Sequence, residues 1–292
     1  MNQEFISVLE EKPYGKFLSN LIVFIRIFEW IDKLQANIGA GLIIIIASLI
    51  MYSQYTKAIF PLFVIFVIYQ SFLLSYGYAI NAYADRDLDS KVGKYRGISY
   101  FSNIQILLII GFLVFGCLGI PLYFTLYFNN LKLIVLGVIT FLLATFYSLK
   151  PLRFKERGFL GILCATLPQR PLLVLFFALL IPSDPKLVYL LILWIFSIGV
   201  IMEIGHQILD YEKDKKGGAD TWATRVGISI VKKYSIFTFV LFTISLIAPI
   251  FTFSMSKGLA ISFILLAFSG HSINYFIENW KVFKSATSNV LN

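Results

Sequence analysis

Charge is scarce in this chain. Of its 292 residues only 14% are Asp, Glu, Lys or Arg, where an ordinary soluble domain carries about a quarter, so a water-facing shell around one globular core is excluded. Cysteine is nearly missing: Cys117 and Cys164 both sit in apolar runs, without the paired spacing of a zinc or redox site, and read as packing residues. The two histidines, His206 and His271, have no serine or cysteine at a recognisable catalytic spacing. No glycine-rich nucleotide loop appears either, which removes hydrolase, kinase and zinc-enzyme readings. The first twenty residues hold Glu4, Glu10, Glu11, Lys12 and Lys16 and no compact apolar core, so a cleavable secretory signal is not expected in them.

Apolar surface is what the chain has in excess. Hydrophobic residues make up 58%, with 29 Phe and 16 Tyr, and the mean hydropathy is +0.81. One core of this length could not hide so much, so the solvent is largely lipid. The net charge of +9 suits anionic head groups or a phosphorylated substrate, and the membrane context sets nucleic acid aside as a partner.

Uncharged stretches of about 20 residues are long enough to cross the hydrocarbon core as helices. Eight are expected: 34–56, 58–84, 97–131, 133–149, 159–182, 187–209, 234–256 and 258–277. Runs such as Leu42-Ile43-Ile44-Ile45-Ile46 do not alternate as barrel strands would. The fold class is therefore all-α, a polytopic transmembrane helix bundle forming a single domain over 1–292, with 1–33 a cytoplasmic or interfacial segment. Lys and Arg crowd after the even-numbered spans, at Arg86 to Arg96, Lys150 to Arg157, Lys213 to Lys233 and Lys281 with Lys284. Single lysines (Lys57, Lys132, Lys186, Lys257) mark the opposite side. That bias predicts an integral, multi-pass membrane protein with both termini cytoplasmic.

Carboxylates stand among those cations at two equivalent places. The second span runs into Asn81-Ala82-Tyr83-Ala84-Asp85-Arg86-Asp87-Leu88-Asp89, and the sixth into Asp210-Tyr211-Glu212-Lys213-Asp214. Helical spacing puts Asn81, Asp85 and Asp89 on one stripe and Asp210 with Asp214 on another. Like charges so placed repel, so a positive ligand is expected between them. Oxygen-only donors suit a hard cation, and Mg²⁺ in particular is held by one or two carboxylates while substrate phosphates and water complete its shell. Each motif alone could equally be an acidic, solvated helix end. Between them lies Tyr147-Ser148-Leu149-Lys150-Pro151-Leu152-Arg153-Phe154-Lys155-Glu156-Arg157-Gly158, whose four cations could neutralise a diphosphate.

These three segments together resemble the UbiA superfamily of intramembrane prenyltransferases. The first aspartate-rich motif of that family matches Asn81, Asp85 and Asp89, and the second matches Asp210, Asp214, Gly218 and Thr221. The loop between them matches Tyr147, Ser148, Pro151, Arg153, Lys155, Arg157 and Gly158. Ala82 stands where many members have a second Asp, and Val92-Gly93-Lys94-Tyr95-Arg96-Gly97 keeps two cations but lacks the two prolines often found there. The resemblance implies nine spans around one cavity that opens near the cytoplasmic face, capped by loops at 85–102 and 210–230.

It also implies transfer of a prenyl group from a polyprenyl diphosphate to an aromatic or other lipid-pathway acceptor whose identity the residues do not specify. Asn81, Asp85, Asp89, Asp210 and Asp214 are then expected to hold Mg²⁺, with Asp85, Asp210, Lys150 and Arg153 central to catalysis. Lys94, Arg96, Lys150, Arg153 and Lys155 would bind the diphosphate and stabilise charge developing on it. Tyr147, His206 and Arg170 are candidates for contacting or orienting the acceptor. For Arg170, flanked by Pro168 and Pro171, a structural pair with Glu203 is the competing expectation, and for His206 a hydrogen-bonded helix-packing role is the favoured one. Two alternatives stay open: a terpene cyclase on the same scaffold, and, in a different class, a membrane transporter or lipid-binding protein.

Overall fold

The structure, a computed structural model, describes residues 10–52, 59–91, 97–217 and 221–270 and positions 273, 274, 276 and 277. Every regular element among them is helical. In order they are α1 (Gly15–Phe24), α2 (Ile27–Tyr52), α3 (Ile59–Ala84), α4 (Arg86–Lys91), α5 (Asn103–Phe128), α6 (Leu131–Ser148), α7 (Phe159–Gln169), α8 (Pro171–Ala178), α9 (Pro185–Gly217), α10 (Trp222–Val226), α11 (Ile228–Thr252) and α12 (Met255–Ala267), with short 3₁₀ turns at Ile98–Tyr100 and Phe154–Glu156. They group into two compact units, residues 1–35 with 63–153 and residues 36–62 with 154–292.

In the first unit the helix ends are set by local chemistry. Ser102 and Gln105 form a capping box that starts α5, and Asn129 stops it in a left-handed conformation (φ 49°). Asn130 then accepts a hydrogen bond from the Lys132 amide to begin α6, so a two-residue connection joins α5 and α6. Gly137 of α6 has no Cβ because one would stand 2.6 Å from the Pro121 ring of α5, and small residues of this kind let membrane helices approach. The Tyr76 and Thr145 hydroxyls hydrogen-bond at 2.7 Å and Tyr76 stacks on Phe141, tying α3 to α6. Gly97, at φ 68°, lies against α1, where a side chain would strike the Asn20 carbonyl. The opposite face of α5 is exposed and aromatic, with Phe112, Phe115, Tyr123 and Tyr127, as a lipid solvent permits.

The second unit is organised on α9, a helix of 33 residues. At 1.5 Å per residue it extends about 50 Å, longer than the hydrocarbon core of about 30 Å. Ile162, Val200, Ile204, Ile208, Trp222, Ala223 and Val231 form one buried cluster that packs α7, α9, α10 and α11 together. Trp194 donates to the Ser269 hydroxyl at 3.0 Å. The helix over 159–178 is broken at Arg170 (φ −141°, ψ −74°), because Pro171 has no N–H to continue the ladder. Asn37 of α2 compensates by donating from Nδ2 to the Gln169 carbonyl at 2.7 Å.

The expected class holds and the span boundaries shift. Six helices among the described residues are long and apolar enough to cross a membrane: 59–84, 103–128, 131–148, 159–178, 185–212 and 228–252. The other two expected spans, 34–56 and 258–277, correspond to α2, whose apolar described part is 37–46, and to the 13-residue α12. Residues 53–58, 271, 272 and 275 lie outside the described set. The first of these helices starts at Ile27, inside the segment expected to stay interfacial, because Arg26 pairs with Glu29 and an acid in a first turn suits the helix dipole. The expected loop at 210–230 is largely helical: 210–217 continue α9, and a Thr221–Thr224 capping box opens α10. Its sequence contains the reason, since Glu212 precedes Lys216 by one helical turn. In the expected loop at 85–102, α4 occupies 86–91.

Candidate functional site

The first acidic motif sits where α3 gives way to α4. Asp85 falls at the junction, yet the helical ladder runs through it: its amide donates to the Asn81 carbonyl at 3.0 Å and the Asp89 amide donates to the Asp85 carbonyl at 2.8 Å. Asn81, Asp85 and Asp89 therefore share one stripe, as their spacing predicts. Asp89 is buried and Asp85 half-buried. The Ser148 hydroxyl, at the end of α6, donates to Asn81 Oδ1 at 2.8 Å.

The basic loop reaches the same stripe. Arg153 Nη2 donates to Asp85 Oδ1 at 3.1 Å, an ion pair in which both side chains are largely shielded from water. The Arg153 amide turns back to the Leu149 carbonyl at 2.9 Å and its own backbone is left-handed (φ 38°). That conformation disfavours a side chain with a Cβ, so the turn holds the guanidinium in place at some conformational cost. Lys150 is exposed and Tyr147 half-buried beside it. Lys94 and Arg96 lie outside the described residues. Two cations that the motifs do not contain also gather on α3: Arg26 and Lys33 stand over the Tyr78 ring at 4.6 and 5.1 Å, one turn before Asn81.

In the second unit Asp210 projects from α9 and is exposed. Among the described residues it has no hydrogen-bond or ion-pair partner. Asp214 follows one turn later in the same helix, its side chain outside the described set, as is Gly218. Thr221 caps α10, and Gln207 accepts from the Ala223 amide at 3.1 Å, tying that cap to α9. Lys155 is half-buried in the 3₁₀ turn that precedes α7. Arg225 donates to the Glu156 carbonyl at 2.6 Å, and Trp222 packs on Phe159 and Tyr234. Tyr83 and Tyr211, which flank the motifs, are capped by Arg86 and Lys215 at 6.0 and 5.9 Å.

His206 lies one turn before Asp210 on the same face of α9 and is exposed. Arg170 is buried at the α7–α8 break and its side chain runs against Gly199. Ser148 belongs to the matched loop motif, though its bond to Asn81 was not foreseen; Arg26, Lys33 and Asn37 are the polar residues that sequence reasoning did not assign. Only Asn37 carried a signal, as a lone amide in an apolar span.

Among the described residues no three His, Cys, Asp or Glu side chains gather into a group able to hold a metal ion by themselves. The first motif instead combines two carboxylates with an amide oxygen, an all-oxygen set that fits a hard cation whose remaining ligands come from substrate and water. Arg153 bound to Asp85 shows that this stripe takes a cationic partner.

Comparison with known proteins agrees with this arrangement of helices. The fold is similar to that of a UbiA homologue from Archaeoglobus fulgidus solved with DMAPP and Mg²⁺, with 19% identity over 88% of this chain and 86% of that one and a TM-score of 0.64. It is similar to a structure of digeranylgeranylglyceryl phosphate synthase, with 18% identity over 90% and 98% of the two chains and a TM-score of 0.61. A UbiA homologue from Aeropyrum pernix K1 matches at 14% identity over 86% and 92%, with a TM-score of 0.58. At such identities the likeness is one of fold. A search of curated protein sequences finds no match. The model of the UbiA prenyltransferase family matches residues 41–287, and with that span of the chain covered, this protein belongs to the UbiA prenyltransferase family.

Proposed function

We propose that the protein is an intramembrane prenyltransferase that moves a prenyl group from a polyprenyl diphosphate to an aromatic or other lipid-pathway acceptor. The observation that carries this reading is the meeting of Arg153 with Asp85 at 3.1 Å on the Asn81–Asp85–Asp89 stripe. A row of oxygen ligands for a divalent cation and a guanidinium suited to phosphate oxygens share one place, and a magnesium diphosphate needs both. The relatives solved with DMAPP or GPP and Mg²⁺ support the same substrate class.

Asn81, Asp85 and Asp89 would supply one set of oxygens for Mg²⁺, and Asp210 with Asp214 another. Bound Mg²⁺ would lower the barrier by stabilising negative charge on the diphosphate. Arg153 would exchange its carboxylate for a diphosphate oxygen, with Lys150 adding positive charge beside it; Lys155, Lys94 and Arg96 are proposed as further diphosphate ligands. The C–O bond at the prenyl C1 breaks with its electron pair going to the diphosphate. The acceptor forms the new bond to C1 and releases one proton, for which His206, one turn from Asp210, is the available base. Both acidic motifs stand near helix ends, whereas the helix break at Arg170 is where a transporter would be expected to place its carboxylates.

The test is purified protein in lipid with geranylgeranyl diphosphate, with and without Mg²⁺, followed by mass analysis of products formed from aromatic and lipid-alcohol acceptor pools. Magnesium-dependent diphosphate release with an acceptor-plus-prenyl mass is the expected result. Release with only a hydrocarbon product would replace transfer by cyclisation, and no release would remove the enzymatic reading.

A further inference from the structure

Three helix starts meet at the basic end of the second unit. α7 begins behind Gly158 (φ 63°), α11 begins behind Gly227 (φ 81°), and the five-residue α10 leads directly into α11. One ring from each forms a cluster: the Phe159 and Trp222 centroids are 5.8 Å apart, Trp222 meets Tyr234 edge-on at 5.2 Å, and Phe159 meets Tyr234 at 5.6 Å. Trp222 is buried, whereas Phe159 and Tyr234 are 36% and 43% exposed. α9 turns the second acidic motif away from this corner. Ile208 packs in the cluster that holds Trp222, and Asp210, two residues on, points to nearly the opposite side of the helix.

Around the rings the charge is of one sign. Arg157 precedes the N-cap of α7, Arg225 lies in the last turn of α10, and Lys232 and Lys233 directly precede Tyr234 in α11. Arg225 Nη2 donates to the Glu156 carbonyl at 2.6 Å, which brings α10 against the peptide that joins Glu156 to Arg157. Arg157, Arg225 and Lys233 are exposed. Over residues 154–178 and 222–252 the only carboxylate in the sequence is Glu156. Neither N-cap glycine has a side chain to accept the first amides of its helix, so both helix dipoles add positive potential here. A Cβ at Gly227 would meet no heavy atom within 4 Å, so the start of α11 adjoins open space. From there an apolar stripe leads away: Ile230, Tyr234, Phe237 and Ile244 share one face of α11 and are all exposed. It runs about 21 Å, longer than one leaflet of a hydrocarbon core of about 30 Å.

We infer that this corner binds an anionic phospholipid, its phosphodiester among Arg157, Arg225 and Lys233 and an acyl chain along the exposed stripe of α11. The site goes beyond prenyl transfer and does not depend on it. Guanidinium groups fork onto phosphate oxygens and an ammonium adds a point charge, while Phe159 and Tyr234 give the aromatic platform that belongs at head-group level. The charge balance selects an anionic head group over a zwitterionic one, because a lipid ammonium would stand among like charges with Glu156 as its one counter-charge. The apolar stripe selects a lipid over free phosphate. Cations that only oriented the chain in its membrane would need neither the ring cluster nor a shared place on three helices.

The test is a titration of lipid into the delipidated full chain in uncharged detergent, with bound lipid read by native mass spectrometry. The probes are phosphatidylglycerol and phosphatidylcholine with identical acyl chains, and inorganic phosphate as competitor. Phosphatidylglycerol should bind at least tenfold more tightly than phosphatidylcholine and stay bound in a hundredfold excess of phosphate. Arg225→Gln with Lys233→Gln should raise the phosphatidylglycerol Kd at least tenfold, Lys233→Gln alone at least threefold and Tyr234→Ala two- to fivefold, with the phosphatidylcholine Kd moving less than twofold. Lys215→Gln with Lys216→Gln removes the same charge from the end of α9 and should move either Kd less than twofold. Lys233→Gln keeps the inference decidable if loss of the Arg225 bond to Glu156 unfolds the double variant: an unchanged phosphatidylglycerol Kd in folded Lys233→Gln would overturn the site. Equal binding of the two lipids, or an equal rise in the Lys215–Lys216 variant, would reduce it to general surface attraction and overturn it. Displacement by phosphate would overturn the lipid assignment.

Discussion

The two aspartate motifs have the same residue types at the same helical spacing, and the fold treats them differently. The first lies at a helix junction, with Asp89 buried, Asp85 paired to Arg153 and Asn81 bonded to Ser148. The second lies on one uninterrupted helix, with Asp210 exposed. A carboxylate already neutralised by a guanidinium is held in register within the fold, and on the proposed reading that guanidinium would turn to the diphosphate once a metal were bound. Among the described residues Asp210 has no such partner, so its place in the fold depends on the helix beneath it. On the proposed reading the first motif would couple stability to function, and the second would bear on function alone.

Removing either carboxylate gives the largest effect and separates the two at once. Asp85→Ala and Asp210→Ala should each lower magnesium-dependent diphosphate release by at least a hundredfold. Only Asp85→Ala should also destabilise the protein, by about 1–3 kcal/mol, because it leaves the shielded Arg153 without its carboxylate; the Asp210 variant should stay within about 0.5 kcal/mol of wild type. Thermal unfolding in lipid beside the release assay reads both. Next in size, Arg153→Met should raise the KM for prenyl diphosphate by about 10- to 100-fold, the worth of a charge-assisted hydrogen bond, and steady-state kinetics at saturating Mg²⁺ would show it.

The fold class and both motifs were legible in the sequence because apolar runs of membrane length and carboxylates four residues apart are local patterns. The Asp85–Arg153 and Asn81–Ser148 contacts were not, since each joins residues more than sixty positions apart and depends on how α3, α6 and the following turn pack. Helix ends fell between these cases. The capping boxes at Ser102 and Thr221 were written in the chain, but charged residues there made 210–217 read as loop, although the order Glu212 then Lys216 favours helix. For Arg170 the flanking prolines announced the break, whereas its placement along Gly199 came only from packing.

Smaller changes sharpen the comparison. Ser148→Ala removes the hydrogen bond that orients Asn81, so the Mg²⁺ concentration for half-maximal release should rise about two- to tenfold with no change in maximal rate. In the second unit Thr221→Ala removes a helix cap and should cost about 0.5–2 kcal/mol in thermal unfolding while leaving the Mg²⁺ dependence in place.

The most direct measurement is binding of geranylgeranyl thiolodiphosphate to wild type, Asp85→Asn and Asp210→Asn across a magnesium titration. Wild type should bind tightly only with Mg²⁺, and each Asn variant should lose most of that magnesium-dependent gain while remaining folded in lipid. Binding by both variants that follows Mg²⁺ as wild type does would contradict the assignment of these carboxylates to the metal and its diphosphate.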